Sequence, residues 1–200
     1  MTSTDRPIRA DAARNRALLL SAAEDEFRQR GPSASVADIA RRAGVAKGTV
    51  FRHFPTKEDL IAAIVCEHIA VLAEAARRLA DSPDAGAALL EFLTLAADQR
   101  QRHDLTFLQS ATSGDPRVAE VRDALHANLE TLVDRSRRSG AIRADITEAD
   151  VYLMMCAPIH IVENLAAPEP LLWQRYVAII FDGLRADGAH PLPRPAPVVP

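Results

Sequence analysis

The sequence predicts an all-α protein, and three observations support that prediction. Alanine, leucine and arginine dominate the 200 residues, and these residues lose little conformational entropy in a helix. Aromatic residues make up only 4% of the chain. The β-branched residues are scattered and form no long alternating run of the kind that strands need. With 48% hydrophobic and 26% charged residues, the helices are expected to enclose a packed core.

The N-terminal segment 1–12 lacks periodicity and is expected to form a flexible arm. The first helix is predicted over about 13–30, and Gly31-Pro32 ends it. Its apolar side chains recur at helical spacing and should form the buried face. These are Leu19, Leu20, Ala23 and Phe27.

The next stretch, "SVADIARRAGVAKGTVFRHF", predicts two short helices joined by a tight turn. Ser35 begins the first as its N-cap. Gly44 lies where a left-handed residue ends a helix at little cost. The second helix begins near Lys47 and holds Val50 and Phe54 on its inner side. Two helices joined in this way are typical of a helix-turn-helix.

Six further helices are expected, over about 57–79, 84–101, 104–112, 116–139, 148–165 and 170–186. Ser82 with Pro83, Asp115 and Thr147 supply the predicted N-terminal caps, and Pro158 should kink the helix that contains it. We therefore expect about nine helices. They divide into a helix-turn-helix head over 13–56, a helical body over 57–187, and an extended, disordered proline-rich tail over 188–200.

Charge is distributed unevenly along the chain. Residues 1–57 carry 11 of the 24 Lys and Arg but only 6 of the 27 Asp and Glu, a net charge of +5. Residues 58–200 carry a net charge of −8. A basic head on an acidic body indicates that the head meets a polyanion.

The run "LLSAAEDEFRQRGPSASVADIARRAGVAKGTVFRHFPTKEDL" resembles the N-terminal domain of the TetR family of transcriptional repressors. The resemblance implies that the helix from Lys47 enters the major groove of DNA. Lys57 would meet a phosphate at a helix N-terminus. The residues expected to face or support DNA are Ser35, Arg41 or Arg42, Lys47, Gly48, Thr49, Phe51, Arg52, His53 and Lys57.

Three positions depart from the family pattern. Ala46 replaces a frequent serine, so a possible cap is lost. Phe51 replaces the usual tyrosine and loses a hydroxyl that could bond a phosphate. Glu26 stands where the pattern usually has an apolar residue.

For the body, the resemblance implies a dimerisation surface and a small-molecule pocket. The helices over 148–165 and 170–186 are apolar on more than one face, which favours a four-helix dimer interface. Core packing is the competing interpretation for every residue named here. Interface candidates are Trp173, Tyr176 and Ile180; pocket candidates are His68, Phe92, Leu95, Phe107, Leu108, Leu125, His126, Leu129 and Met155.

Several functions find no support in the sequence. Neither the histidines nor Cys66 and Cys156 have metal-ligand spacing, and no catalytic constellation or phosphate-binding loop is visible. No cofactor, metal or enzyme activity is expected. No apolar run approaches ~20 residues and no secretion signal is visible, so a cytoplasmic protein is expected.

The leading hypothesis is a homodimeric, ligand-responsive repressor that binds a pseudo-palindromic DNA operator. Two alternatives remain open. One is a ligand-independent DNA-binding dimer, and the other is a helical small-molecule-binding or enzymatic module with a vestigial head. The sequence names neither operator, effector nor regulated genes, and it leaves repression and activation both possible.

Overall fold

A computed structural model describes residues 5–103, 108, 111–163, 165, 166 and 169–197, with side chains from residue 13 onward. This part of the chain is helical, so the all-α prediction is confirmed. The helices are α1 (Asp5–Arg30), α2 (Val36–Arg42), α3 (Lys47–His53), α4 (Lys57–Leu79), α5 (Ala85–Arg102), α6 (Pro116–Arg138), α7 (Glu148–Met154), α8 (Ala157–Glu163) and α9 (Leu172–Leu184).

The chain forms two compact units. The first comprises Met1–Glu67 and His103–Val118, and the second comprises His68–Arg102 and Ala119–Pro200. In the first unit, α2 packs against both α1 and α3. The predicted inner face of α1 is buried, since Leu19, Leu20, Ala23 and Phe27 are each at most 1% exposed.

The N-terminal arm is a wrong prediction for residues 5–12, because α1 already begins at Asp5. Residues 1–4 lie outside the described residues. Pro7 lies in the first turn, where the backbone N–H it lacks would have no helical partner. The alanine-rich sequence that follows favours continuation of the helix.

In the second unit, α9 packs against α8 and α5, and α5 also contacts α8. Trp173 is only 2% exposed within its own chain. Its prediction as a dimer contact is therefore wrong, because a side chain enclosed by its own unit has no surface left for a partner. Val177 and Leu184 continue this buried face of α9.

Leu95 is also corrected, because its side chain is 37% exposed. The buried face of α5 follows the helical repeat through Ala88, Leu89, Phe92, Leu93, Ala96 and Ala97. Leu95 falls outside that face.

Most predicted helix ends are observed, and one cap is different. The Asp84 carboxylate accepts from the backbone N–H of Ala87 at 2.9 Å, so Asp84 caps α5 in place of Ser82, and Pro83 precedes the helix. Asp115 accepts from the N–H of Arg117, and Thr147 forms a capping box with Asp150, both as predicted.

The predicted helix over 148–165 is interrupted, as expected from Pro158. It divides into α7 and α8, and Pro158 lies in the first turn of α8. The predicted segment 104–112 lies largely outside the described residues, although Leu108 is helical and buried. No described helix is long and apolar enough to cross a lipid bilayer.

The proline-rich tail has no helix over residues 185–197. It lies against the second unit, since the Arg143 guanidinium donates to the carbonyl oxygen of His190. Residues Leu192–Ala196 line a groove together with Asp145. The extended, disordered tail over 188–200 therefore stays a prediction, and residues 198–200 lie outside the described residues.

Candidate nucleic-acid interface

A tight turn at Gly44 sets the angle between α2 and α3. Gly44 has φ +69°, a conformation that costs glycine little and other residues more. The amide of Gly44 donates to Arg41 O, and the amide of Val45 donates to Ala40 O at 3.0 Å. These bonds satisfy the carbonyls at the end of α2 and direct the chain into α3.

Ser35 caps the beginning of α2 and joins it to Asp38. The Ser35 hydroxyl accepts from the Asp38 backbone N–H at 3.2 Å and donates to the Asp38 carboxylate at 2.6 Å. The Ser35 hydrogen bond, followed by the Arg41 hydrogen bond, lowers the pKa of Asp38 to about 2. The predicted cap is present, so the Ser35 hydroxyl is already engaged within the free protein.

The two sides of α3 have different environments. Val50 is 1% exposed and Phe54, directly after the helix, is 4% exposed, so both hold α3 to the head as predicted. Ala46 offers no side-chain hydrogen bond at the helix start. The lost cap expected from the sequence is therefore observed.

The outer side of α3 carries cations that no acidic side chain neutralises. Among the described residues, Lys47, Arg52 and His53 have no carboxylate within ion-pair distance. Lys47 and Arg52 are exposed, and His53 is half-buried. Lys47 Nζ lies 5.6 Å from the centroid of the Phe51 ring, and Phe51 is itself 40% exposed. This surface combines free positive charge with an exposed aromatic ring.

Gly48 leaves open space at the start of α3. Beyond its chain neighbours and its own helix backbone, a Cβ atom added at Gly48 would meet no described atom within 4 Å, so packing within the described residues does not require a glycine. Thr49, beside it, is half-buried. The open space would let another molecule approach the backbone closely.

Lys57 begins α4 and is held within the head. Its Nζ donates to the carbonyl oxygen of Pro32 at 2.6 Å and lies 5.5 Å from the centroid of the Phe27 ring. The adjacent cap is formed by Thr56 and Asp59, whose side chains hydrogen-bond at 2.7 Å. The Thr56 hydrogen bond is the main cause of the lowered pKa of Asp59.

The two arginines of α2 point to different surroundings. Arg41 is 66% exposed and pairs with Asp38 within the same helix. Arg42 reaches back to α1, where its Nε donates to Glu26 Oε1 at 2.8 Å and its guanidinium donates to Gln29 Oε1 at 2.7 Å. Both arginines are exposed residues, but Arg42 is bonded to α1 whereas Arg41 is bonded within α2.

Sequence reasoning noticed the unusual position of Glu26 but not its role. The Glu26 side chain is 4% exposed and also lies 3.3 Å from Arg30 Nε. The signal was an acid at helical spacing among buried apolar residues, since Ala22, Ala23 and Phe27 surround it in sequence. A buried acid requires a cationic partner, and the arginine pair of α2 offered one.

Comparison with known proteins agrees with this geometry. The profile of the family described as "Bacterial regulatory proteins, tetR family" matches residues 19–64. A second profile, "Transcriptional regulator SbtR-like, C-terminal domain", matches residues 84–186, which is more than half of the chain. The chain belongs to the TetR family of transcriptional regulators.

Individual relatives support the same assignment. The crystal structure of a TetR regulatory protein from Mycobacterium vanbaalenii is 33% identical, with TM-score 0.65, over 90% of this chain and 99% of that one. Another structure, described as the molecular basis for control of antibiotic production by bacterial hormones, is 29% identical with TM-score 0.63, over 86% and 98%.

A curated relative matches a shorter part of the chain. An HTH-type transcriptional repressor of Mycobacterium tuberculosis is 52% identical over 50 residues, which span 24% of this chain and 27% of the relative. TetR-family regulators are DNA-binding proteins that are generally non-enzymatic.

The pocket candidates predicted in the body do not share one environment. Phe92, Leu125, Leu129 and Met155 are buried in the second unit, and Leu108 is buried in the first. His68 Nδ1 lies 3.0 Å from Gln99 Nε2. Phe107 lies outside the described residues.

His126 lies at the edge of an open groove of about 590 Å³. Its Nδ1 lies 2.7 Å from Glu148 Oε1, and its ring stacks 4.4 Å from that of Tyr152. Four charged side chains are among the residues that line this groove: Glu130, Asp134, Arg137 and Glu148. Of the predicted pocket residues, only His126 belongs to it.

Proposed function

We propose that this regulator represses transcription by inserting α3 into the major groove of an operator. The observation that carries the proposal is the contrast across α3. Val50 anchors one side in the core, while the cations of Lys47 and Arg52 remain exposed without acidic partners in the described part of the chain. Exposed cations gain free energy from phosphates by releasing counterions, and arginine can read guanine through paired hydrogen bonds.

The contacts divide by role. Arg52, Thr49 and His53 would reach base edges, and Phe51 would pack on a sugar or a thymine methyl group. Lys47, Arg41 and Lys57 would meet phosphates. Gly48 would allow the backbone to approach the DNA, since a Cβ atom there has open space.

We further propose that the protein acts as a homodimer. The second unit supports this, because α8 and α9 leave large apolar side chains exposed: Ile161 by 42% and Ile179 by 51%. Tyr176 and Ile180 are half-buried and would complete such a surface. Two copies would present two α3 helices to half-sites about 34–36 Å apart, so the operator should be pseudo-palindromic.

A small-molecule effector is the third element of the proposal. The second unit matches a regulator C-terminal domain, and a related structure has been described in terms of bacterial hormones. An effector can release DNA only by binding the DNA-incompetent conformation more tightly than the competent one. No effector class is assigned to this chain.

The DNA-binding proposal is tested by selecting bound duplexes from a random pool with the full-length protein. We expect an enriched consensus with inverted half-sites, and a matching sequence near the protein's own coding region. Failure to enrich any sequence would contradict the proposed function. Enrichment of a single, non-repeated half-site would contradict the dimeric mode only.

The dimer is tested separately by light scattering of the purified protein. We expect twice the chain mass of 21.7 kDa. An Ile179→Glu variant should shift the equilibrium towards the monomer, because it places a charge in an apolar interface. A monomeric wild-type protein at micromolar concentration would contradict the dimer.

A further inference from the structure

Glu26 is a buried acidic residue in the head of the molecule. Its residue is 3% exposed, among the large apolar side chains of α1. A carboxylate removed from water in this way is stable only when cations and hydrogen-bond donors compensate it. The partners of Glu26 therefore show which parts of the head its charge joins.

The first partner ties the end of α2 to α1. Arg42 Nε donates to Glu26 Oε1 at 2.8 Å, and the same guanidinium donates to Gln29 at 2.7 Å. Asp25 lies 3.9 Å from this guanidinium. The Arg42 side chain is 31% exposed, so three polar residues of α1 lie around a side chain that is only partly covered.

The second partner ties the beginning of α2 to the same turn of α1. Arg30 Nε lies 3.3 Å from Glu26 Oε2, and Arg30 Nη1 lies 2.9 Å from Asp38 Oδ2. Asp38 is the residue that caps α2 together with Ser35. Both ends of α2 are thus joined by charge to the last turns of α1, with Glu26 at the centre.

This arrangement matters for α3 because α2 is short. It has seven residues, of which only Ile39 and Ala40 are buried. So small an apolar contact fixes the position of a helix weakly. Since α3 follows α2 through the Gly44 turn and packs against it, any change in the position of α2 on α1 also changes the orientation of α3.

We propose that Glu26 is a positioning residue: by holding Arg42 and Arg30 it fixes α2 on α1, and thereby the angle at which α3 meets DNA. It also engages the Arg42 guanidinium, so that Arg41 alone of this pair contacts phosphate. The inference rests on the proposed function, since it requires that α3 reads DNA.

The test is a double-mutant cycle with apolar replacements. Glu26→Leu leaves Arg42 without its acceptor, and Arg42→Met leaves a buried carboxylate undercompensated. The double variant replaces the ion pair by two apolar side chains of similar size, which proteins often tolerate well. Affinity is measured for the duplex selected by the wild type and for an unrelated duplex, over a series of salt concentrations.

We expect each single variant to bind the selected duplex about tenfold more weakly, within the coupling range of contacting residues. Binding to the unrelated duplex should change much less, because charge alone supports it. The double variant should recover most of the lost affinity. Arg42→Met should keep the wild-type salt slope, whereas the neighbouring control Arg41→Met should lower the slope by about one.

Opposite results would overturn the inference. If Arg42→Met lowers the salt slope by about one and the double variant regains no affinity, then Arg42 contacts phosphate directly. If both single variants keep the wild-type preference for the selected duplex, then Glu26 positions nothing.

A loss of stability alone would lower the melting temperature and reduce binding to both duplexes by the same factor, which also contradicts positioning. If a single variant fails to fold, the double variant decides through its salt slope and its preference. A wild-type protein that selects no DNA would instead refute the proposed function itself.

Discussion

The basic residues in the two helices of the helix-turn-helix have opposite environments. In α2, Arg42 is held by Glu26 and Gln29, and Arg41 pairs with Asp38. In α3, Lys47 and Arg52 have no acidic partner in the described residues. One helix uses positive charge to hold the head together, and the other leaves it available to a polyanion.

The contrast shows that residue type alone does not separate structural from functional cations. Both helices carry two strongly basic residues within seven. What differs is the neighbouring element, because the last turns of α1 offer Asp25 and Glu26 to α2 and nothing acidic to α3. Free charge next to a packed anchor such as Val50 is the better marker of a nucleic-acid surface.

The largest effect is expected at Arg52. Arg52→Ala should weaken binding to the selected duplex by about 1–3 kcal/mol and relax specificity at one base pair, because a base contact is lost. The melting temperature should stay near that of the wild type, since Arg52 forms no ion pair with the residues that the structure describes. Affinity is read by fluorescence anisotropy.

A matched control for Arg52 exists in the last turn of α4. Arg77 is also exposed, and among the described residues its ion pair is with Glu74 on its own helix. Arg77→Ala should leave DNA binding unchanged. Equal losses in both variants would mean that net charge, and not a base contact, governs the effect.

Gly48→Ala should separate stability from function by moving them in opposite directions. Alanine favours a helix over glycine by up to about 1 kcal/mol, and its Cβ meets no atom within 4 Å. The melting temperature should therefore rise. Affinity for the selected duplex should fall, because the methyl group would stand between α3 and the DNA. Unchanged affinity would contradict the close approach.

Lys57 shares features of both the structural and the DNA-facing cations, and the Lys57→Met variant decides to which type it belongs. If it reaches a phosphate in the complex, binding to selected and unrelated duplexes should weaken alike, and the salt slope should drop by about one. A lower melting temperature with an unchanged slope would place Lys57 with the structural cations, through its bond to Pro32.

The smallest effect concerns the cap of α2. The folded-state pKa of Asp38 is about 2, below its usual 3.8. The stability it contributes is therefore present above pH 4 and is lost as the pH falls towards 2. The difference in melting temperature between wild type and Asp38→Asn should shrink over that range. A difference independent of pH would show that the charge of Asp38 contributes nothing.

Much of the head could be predicted from sequence because its signals are local. Ser35, Gly44 and Thr147 act over three or four residues, and each was observed in its expected place. The start of α1 at Asp5 was not predicted, because the alanine-rich sequence there extends the helix without a periodic apolar face. Asp84 was missed because Ser82 offered an equally good local signal.

The packing of the body could not be predicted because helices that contact one another are far apart in the sequence. Trp173 and Tyr176 are three residues apart on α9, yet one is buried and the other half-buried. Periodicity gives the spacing of a helical face but not which neighbour covers it. The Glu26–Arg42 pair joins positions 16 apart, so only the folded head reveals it.

The most direct measurement is backbone amide exchange of the full chain with and without the selected duplex. The account predicts that DNA slows exchange most in residues 46–53, with a smaller effect at the beginning of α2 and at Lys57. Unchanged exchange in residues 46–53, together with protection confined to the second unit, would contradict the assignment of α3 as the DNA-reading helix.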